Sequence, residues 1–358
     1  MATKLEISDL DFDGIKTNLR NFLSQQDEFR DYDFEGSGMS VLLDLLAYNT
    51  HYLGYNANMV ANEMFLDSAD LRSSVVSKAK QVGYTPTSST SADAFVDVVV
   101  NNATGSSLTM SRGTKFTTTV NGISYSFVNN SELTITPSDG VYKFSNVKLN
   151  EGTLLNFKYT ANTSDTDQRF IIPNNNVDTN TLTVKVQESS SDATTNTYTL
   201  ATGITGLDST SKVYFLQEVE NGRFEVYFGD GVLGKAIADG NIVIFDYVVC
   251  NRNAPNGATT FTLSGTVGGF SSATVTTISN ATNGAGPESI ESIKFNAPRD
   301  YTSQDRAVTA DDYKVLVKSL YANAQSVQVY GGEDAATPEY GKVFISIKAK
   351  SGTNLTES

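Results

Sequence analysis

The chain has 358 residues, 39% of them hydrophobic, and a formal net charge of −14. That length allows two or three domains with a substantial core, and the acidic balance argues against sequence-independent nucleic-acid binding, which needs Lys and Arg at the phosphates. One His (His51), one Cys (Cys250) and no Trp exclude an intrachain Cys/His zinc site and an intrachain disulfide, and leave a Ser-His-Asp triad only His51 to use.

The opening stretch MATKLEISDLDFDG has neither the basic nor the apolar region of a signal peptide. No apolar run approaches the roughly 20 residues of a membrane span. The protein is therefore expected to function, or to be assembled, where it is made.

The first 86 residues read as helical. Asp11 or Asp13 caps a helix running to about Gln26, with Ile15, Leu19, Phe22 and Leu23 on one apolar stripe. Ser37 or Ser40 starts a second helix reaching about Phe65. Its first half, MSVLLDLLAY, carries Leu42 and Leu46 and is apolar on nearly every side, the pattern of a helix buried by more than one neighbour. A third helix fits Asp70 to Val82, with Leu71, Val75, Ala79 and Val82 on one face and Gly83 as its stop. Three arrangements suit these helices: an intrachain bundle, packing shared with a partner chain, or an interfacial membrane helix. Sparse Lys and Arg on the polar faces disfavour the last.

From Thr87 the composition turns to Ser, Thr, Asn and Gly, with short β-type runs. AFVDVVV, LTVKV and NIVIFDYVV read as strands. KFTTTVNGISYSFV reads as a hairpin turning at Asn121-Gly122, and VYFLQEVENGRFEVYF as another turning at or near Asn221-Gly222. SSSDATTNTYT and SSATVTTISNATNG read as loops or edges. Residues from about 88 to 290 form a mainly antiparallel β region.

Within it, GDGVLGKA (Gly229–Ala236) matches a phosphate-binding loop at Gly229, Gly234 and Lys235, and matches G-x-G-x-x-G at Gly229, Gly231 and Gly234. A nucleotide loop needs a helix behind it, and IADGNIVIFDYVV offers no helix. Ala236 also replaces the magnesium-binding hydroxyl. The glycines are expected to supply tight turns, with Asp230 bonding nearby backbone amides.

After about Ser289, Thr309 is an N-cap with Asp312 completing a capping box, and Tyr313, Leu316, Val317 and Leu320 form an apolar face. QSVQVY and KVFISIKAK are strands either side of GGEDAATPEYG. The final SGTNLTES reads as the N-cap of a further helix, so this unit is expected to be cut short. Asp311 and Asp312, with Asp305 nearby, suit capping and the helix dipole better than a metal, because adjacent helical residues diverge. Arg299 and Arg306 are expected to pair with Asp300 and Asp305, or with an acidic group elsewhere. His51 reads as a satisfied or surface histidine and Cys250 as a buried small apolar residue. No residue is assigned to catalysis, and no cofactor or metal is expected.

The stretches DEFRDYDFEGSGMSVLLDLLAYNTHYL, ADLRSSVVSKAKQVGYTPTSSTSA, RFEVYFGDGVLGK, FNAPRDYTSQDRAVTADDYK and VYGGEDAATPEYGKVFISIK resemble, in order and over nearly the whole chain, the baseplate J-like family of wedge proteins of contractile-tailed bacteriophages. The resemblance implies an α+β multidomain fold: a helical region over 1–86, a β-rich region over 87–290, and the start of an α+β domain over 291–358. It implies a non-enzymatic structural protein of the virion tail baseplate, assembled in the host cytoplasm. Such proteins link wedges into an inner ring around the hub and rearrange on sheath contraction. Implied partners are further copies of the chain and other wedge proteins that join the N-terminal helices; no nucleic acid or membrane is expected.

The motif residues it marks are Gly229, Asp230, Gly231, Gly234, Ala297, Pro298, Arg299, Arg306, Ala307, Val308, Thr309, Asp312, Tyr313, Gly331 and Gly332. The expected partner interface is Ile15, Leu19, Phe22, Leu23, Leu42 and Leu46. The β region alone would also suit a tail adhesin for host glycan. Against that stand the helical N-terminus, the RAVTADDYK helix and the absence of Trp. A hydrolase using paired carboxylates is the least supported reading.

Overall fold

The structure, a computed structural model, describes residues 11–26, 36–165, 168–201, 203, 206–303, 306–321, 324–335 and 337–349. Asp305 and the terminal SGTNLTES, both singled out from the sequence, lie outside them. The chain divides into two units between Val82 and Gly83.

The first unit holds α1 (Phe12–Leu23), α2 (Gly38–Glu63) and α3 (Arg72–Gln81). Asp11 sits at the N-cap of α1 without a side-chain bond to the helix. At α2 the cap is made: Ser37 Oγ accepts from the Ser40 amide at 3.0 Å. α1 folds back along α2, burying Ile15 and pairing Lys16 with Asp44. The turn into α3 is held by Glu63, whose carboxylate accepts from the amides of Asp70 (2.9 Å) and Leu71 (3.2 Å). Those amides lead into an N-terminus whose donors have no intrahelical partner. Val75, Val76 and Ala79 are the buried face of α3, whereas Leu71, expected on it, is exposed.

Among its described residues, the second unit begins with fifteen strands. They are β1 (Asp93–Val100), β2 (Leu108–Met110), β3 (Lys115–Val120), β4 (Ile123–Asn129), β5 (Leu133–Ile135), β6 (Tyr142–Glu151), β7 (Thr153–Thr160), β8 (Phe170–Ile171), β9 (Val177–Ser189), β10 (Asp192–Leu200), β11 (Val213–Glu218), β12 (Phe224–Phe228), β13 (Ile242–Val249), β14 (Thr262–Leu263) and β15 (Ala273–Thr282). Two hairpins turn at Asn121-Gly122 and Asn221-Gly222, with φ of 51° and 81°, then 61° and 70°. These positive angles are why Asn-Gly was a readable turn signal.

The strands sort into two main sheets. One has six strands in the order β14-β3-β4-β6-β1-β15, and the other seven in the order β7-β13-β9-β10-β11-β12-β8. Pairing in both is antiparallel except where β10 meets β11. Each sheet has its own core. Val96, Val98, Phe116, Phe127, Phe144 and Leu149 lead the first, and Val184, Phe224, Val226, Phe245 and Tyr247 the second.

Two readings of the Ser/Thr-rich runs come out differently. SSATVTTISNATNG supplies β15, an edge strand. SSSDATTNTYT supplies most of β10, which lies inside its sheet, flanked by β9 and β11. Its side chains are mostly exposed, with Tyr198 turned into the core, so the apolar alternation that marks a strand was missing.

The last described elements are α4 (Ile290–Ser303), α5 (Ala310–Leu320), β16 (Ala324–Gly331) and β17 (Val343–Ala349), the last two paired antiparallel. α4 is a helix the sequence concealed, because Pro298 lies inside it and a proline normally ends one. On α5 the buried residue is Val315, with Tyr313, Leu316 and Val317 half-buried. Leu320, expected on that face, is 85% exposed.

Candidate partner-binding surface

The glycine-rich loop turns a corner. Asp230 Oδ1 accepts from the amides of Leu233 and Val232, both at 2.9 Å, and those bonds hold its carboxyl below the ordinary value. Gly231 and Gly234 have φ of 87° and 93°. A Cβ on Gly229 would run into the backbone of Leu233 and Gly234. Lys235 is paired with Glu188 at 3.0 Å, and the next regular element is β13. Among the described residues no helix follows the loop to hold a phosphate at its N-terminus.

The APR…RAVT…DY residues build a helix–turn–helix corner. Ala297 is buried inside α4. Arg299 lies over the Phe295 ring, 3.5 Å from its centroid, and donates to the Phe295 carbonyl at 2.7 Å. The Arg306 amide donates to the Ser303 carbonyl at 2.9 Å, and Ala307 and Val308 lead exposed into the cap. Thr309 and Asp312 form the full capping box: Thr309 Oγ accepts from the Asp312 amide at 3.2 Å, and Asp312 accepts from the Thr309 amide at 2.8 Å. Asp311 pairs with Lys314 at 2.8 Å, so the two neighbouring aspartates serve different partners. Gly331 ends β16, and the Gly332 amide reaches the Lys342 carbonyl at 2.8 Å, starting the return towards β17.

The titratable groups named from the sequence are dispersed. His51 stands edge-on to Tyr52 on α2, 6.4 Å between ring centroids. Cys250 is buried, and burial pushes its thiol up to about 11. Among the described residues no three His, Cys, Asp or Glu side chains gather as a metal set.

What stands out is the surface of α2. MSVLLDLLAY, read as buried on several sides, is largely open: Ser40, Leu43, Ala47 and Gly54 face inward, and most of the remaining apolar residues of the helix do not. Val41, Leu45, Tyr48, Tyr52, Tyr55 and Met59 recur at alternating steps of four and three and are 43–64% exposed. That is the a/d spacing of a helix–helix seam. Leu42, Leu46, Leu53 and Val60 form a second stripe beside it, interrupted by Asn49 and Asn56 at the same spacing. Tyr48 and Tyr52 already touch along the first seam, 4.7 Å between centroids.

Of the residues assigned to a partner from the sequence, Leu42, Leu46 and Phe22 are exposed. Leu19 and Leu23 are half-buried, and Ile15 is turned into the helical unit. The first seam was missed. The four-three spacing was the available signal, but it cannot say which side the chain covers by itself. No described helix is long and apolar enough to cross a membrane.

Comparison with known proteins gives the surface a setting. Residues 11–84 match the family model "Baseplate wedge protein gp6-like, helical domain". Residues 156–254 match "Bacteriophage baseplate wedge protein gp6, third domain", and residues 309–358 match "Baseplate structural protein gp6, C-terminal domain I". The chain is 32% identical to baseplate wedge protein gp6 of Enterobacteria phage T4 over 374 aligned positions, covering 96% of this chain and 54% of that protein. It thus spans about half the length of that relative. A chain of the anti-feeding prophage (AFP) baseplate, solved by cryo-EM, is 11% identical with a TM-score of 0.32, covering 87% of this chain and 57% of that one.

Proposed function

Because this chain belongs to the gp6 family of phage baseplate wedge proteins, we propose that it is a structural component of a contractile tail baseplate, in the virion. In this reading it links wedges into the inner ring around the hub, with further copies of itself as neighbours, and it shifts when the sheath contracts. Residues 1–86, 87–290 and 291–358 act as its working divisions. No residue is given a catalytic role.

The observation that carries the reading is the α2 seam in a segment matched to the gp6-like helical domain. Its partner is an amphipathic helix of another wedge protein. Leu and Tyr side chains half open to water each stand to contribute about 1–2 kcal/mol when a second helix covers them. With Val41 and Met59 at its ends, the six-residue seam is costly to leave uncovered. The acidic chain favours a partner face that is apolar at its centre and basic at its rim.

The test is co-expression with the neighbouring tail proteins and native mass spectrometry of the purified complex. The expected species is a hetero-complex holding this chain. Leu45→Asp with Tyr52→Asp should dissociate it while the β cores keep their near-UV circular dichroism. An intact complex from that double variant would move the interface away from α2.

A further inference from the structure

The six-stranded and seven-stranded sheets share no core residue. The chain crosses between them twice: at Gly152, between β6 and β7, and through residues 250–261, between β13 and β14. Gly152 has φ of 128°, and a Cβ there would run into the Val249 carbonyl, so the two crossings lie back to back. Close to them the ties are polar and buried. Glu151 accepts from the Asn251 amide and Nδ2 at 2.8 and 2.7 Å. Asp178 Oδ2 accepts from the Ser91 amide and hydroxyl at 2.9 and 2.6 Å. Asn150 donates to the same hydroxyl at 3.0 Å.

Arg112 sits farther out. It belongs to the turn between β2 and β3, and Asn130 Oδ1 anchors its guanidinium on that side at 2.7 and 3.1 Å. The other ends of the fork enter the second sheet. Nη1 donates to Thr183 Oγ at 2.9 Å, Nη2 donates to the Thr181 carbonyl at 3.0 Å, and Nη1 lies 3.7 Å from Asp246. Thr183 is in register with Asp246, three residues before the end of β13. At about 3.3 Å per residue, the Thr183–Asp246 end of this contact is about 10 Å from the crossing, while the Thr181 end lies nearer, where Thr181 Oγ accepts from the Val248 amide. A bond at that distance resists rotation about the crossings with more leverage than the ties beside them.

The contact is also one that can open. Asp246 keeps Lys185 at 3.1 Å and Asn156 at 2.6 Å without it, so release orphans no carboxylate, and the guanidinium returns to water.

We propose that Arg112 is the latch of a joint between the two sheets: it fixes their angle, and without it they turn about the paired crossings with both cores intact. This goes beyond the wedge assignment and does not depend on what covers α2.

The test is a distance between spin labels on the two bodies, at Thr119→Cys on β3 and Thr195→Cys on β10. Both positions are exposed, and buried Cys250 stays unlabelled. The parent chain should give one narrow distance distribution. Arg112→Ala should widen it at least twofold with the near-UV circular dichroism retained. An unchanged narrow distribution would overturn the latch. If Arg112→Ala loses its fold, Arg112→Lys decides, because it keeps the cation and stem but not the fork. A widened distribution in that folded variant supports the latch, and a narrow one overturns it.

Discussion

Asp178 shows how much one side chain can fix here. It is 3% exposed, and burial raises its carboxyl against the hydrogen bonds from Ser91 and Asn180, which lower it. An acid whose folded value lies above its unfolded value of about 3.9 binds its proton more tightly in the folded state. Stability then falls as pH climbs from the unfolded value through the folded one, and is level above that. Asp178→Asn replaces an acceptor oxygen by a donor facing other donors. It should cost about 1–3 kcal/mol in chemical denaturation at pH 7. Because the parent chain gains on acidification and the asparagine does not titrate, the deficit should be larger at pH 4 than at pH 7. A smaller deficit at pH 4 would mean that the hydrogen bonds, not burial, set this carboxyl.

At the scale of elements, the capping box of α5 offers a clean test. Thr309→Ala removes the acceptor for the Asp312 amide and should cost about 1 kcal/mol, with faster hydrogen exchange in the first turn of α5 and none of that change in β1 or β13. That cap was legible in the sequence, as were the Asn-Gly hairpins and the corner at Gly229–Gly234, because each is settled within a few residues. β10 and α4 were not legible. Thr and Asn side chains facing water gave β10 no pattern, and its place came from β9 and β11. Pro298 contradicted a helix that neighbouring elements nevertheless hold. The α2 seam lies between these cases: its spacing was present in the sequence, but its exposure depends on what the rest of the chain leaves uncovered.

At the scale of the molecule, protection should be uneven. The two β cores are built of fully buried side chains such as Phe116, Phe127, Phe245 and Tyr247, whereas α2 keeps half of its circumference open. Local stability follows buried apolar contacts. Amide exchange in the isolated chain should therefore be fastest across α1–α3 and slowest in β1, β6, β9 and β13. Adding the helical partner should slow α2 and leave the β cores unchanged. Equal protection of helices and sheets in the isolated chain would contradict this.

All seven strands of the second sheet lie between β6 and β14, so that sheet is an insertion within the first. On a ribosome, order along the chain is order in time. β1 must wait for β15, whose Ser279 is in register with Phe95, and at about 5–20 residues per second that wait is about 10–40 s. The inserted sheet can be complete before then. The body that starts the chain's β region is thus the one that finishes last, and for that interval β1 is an open edge in the cell.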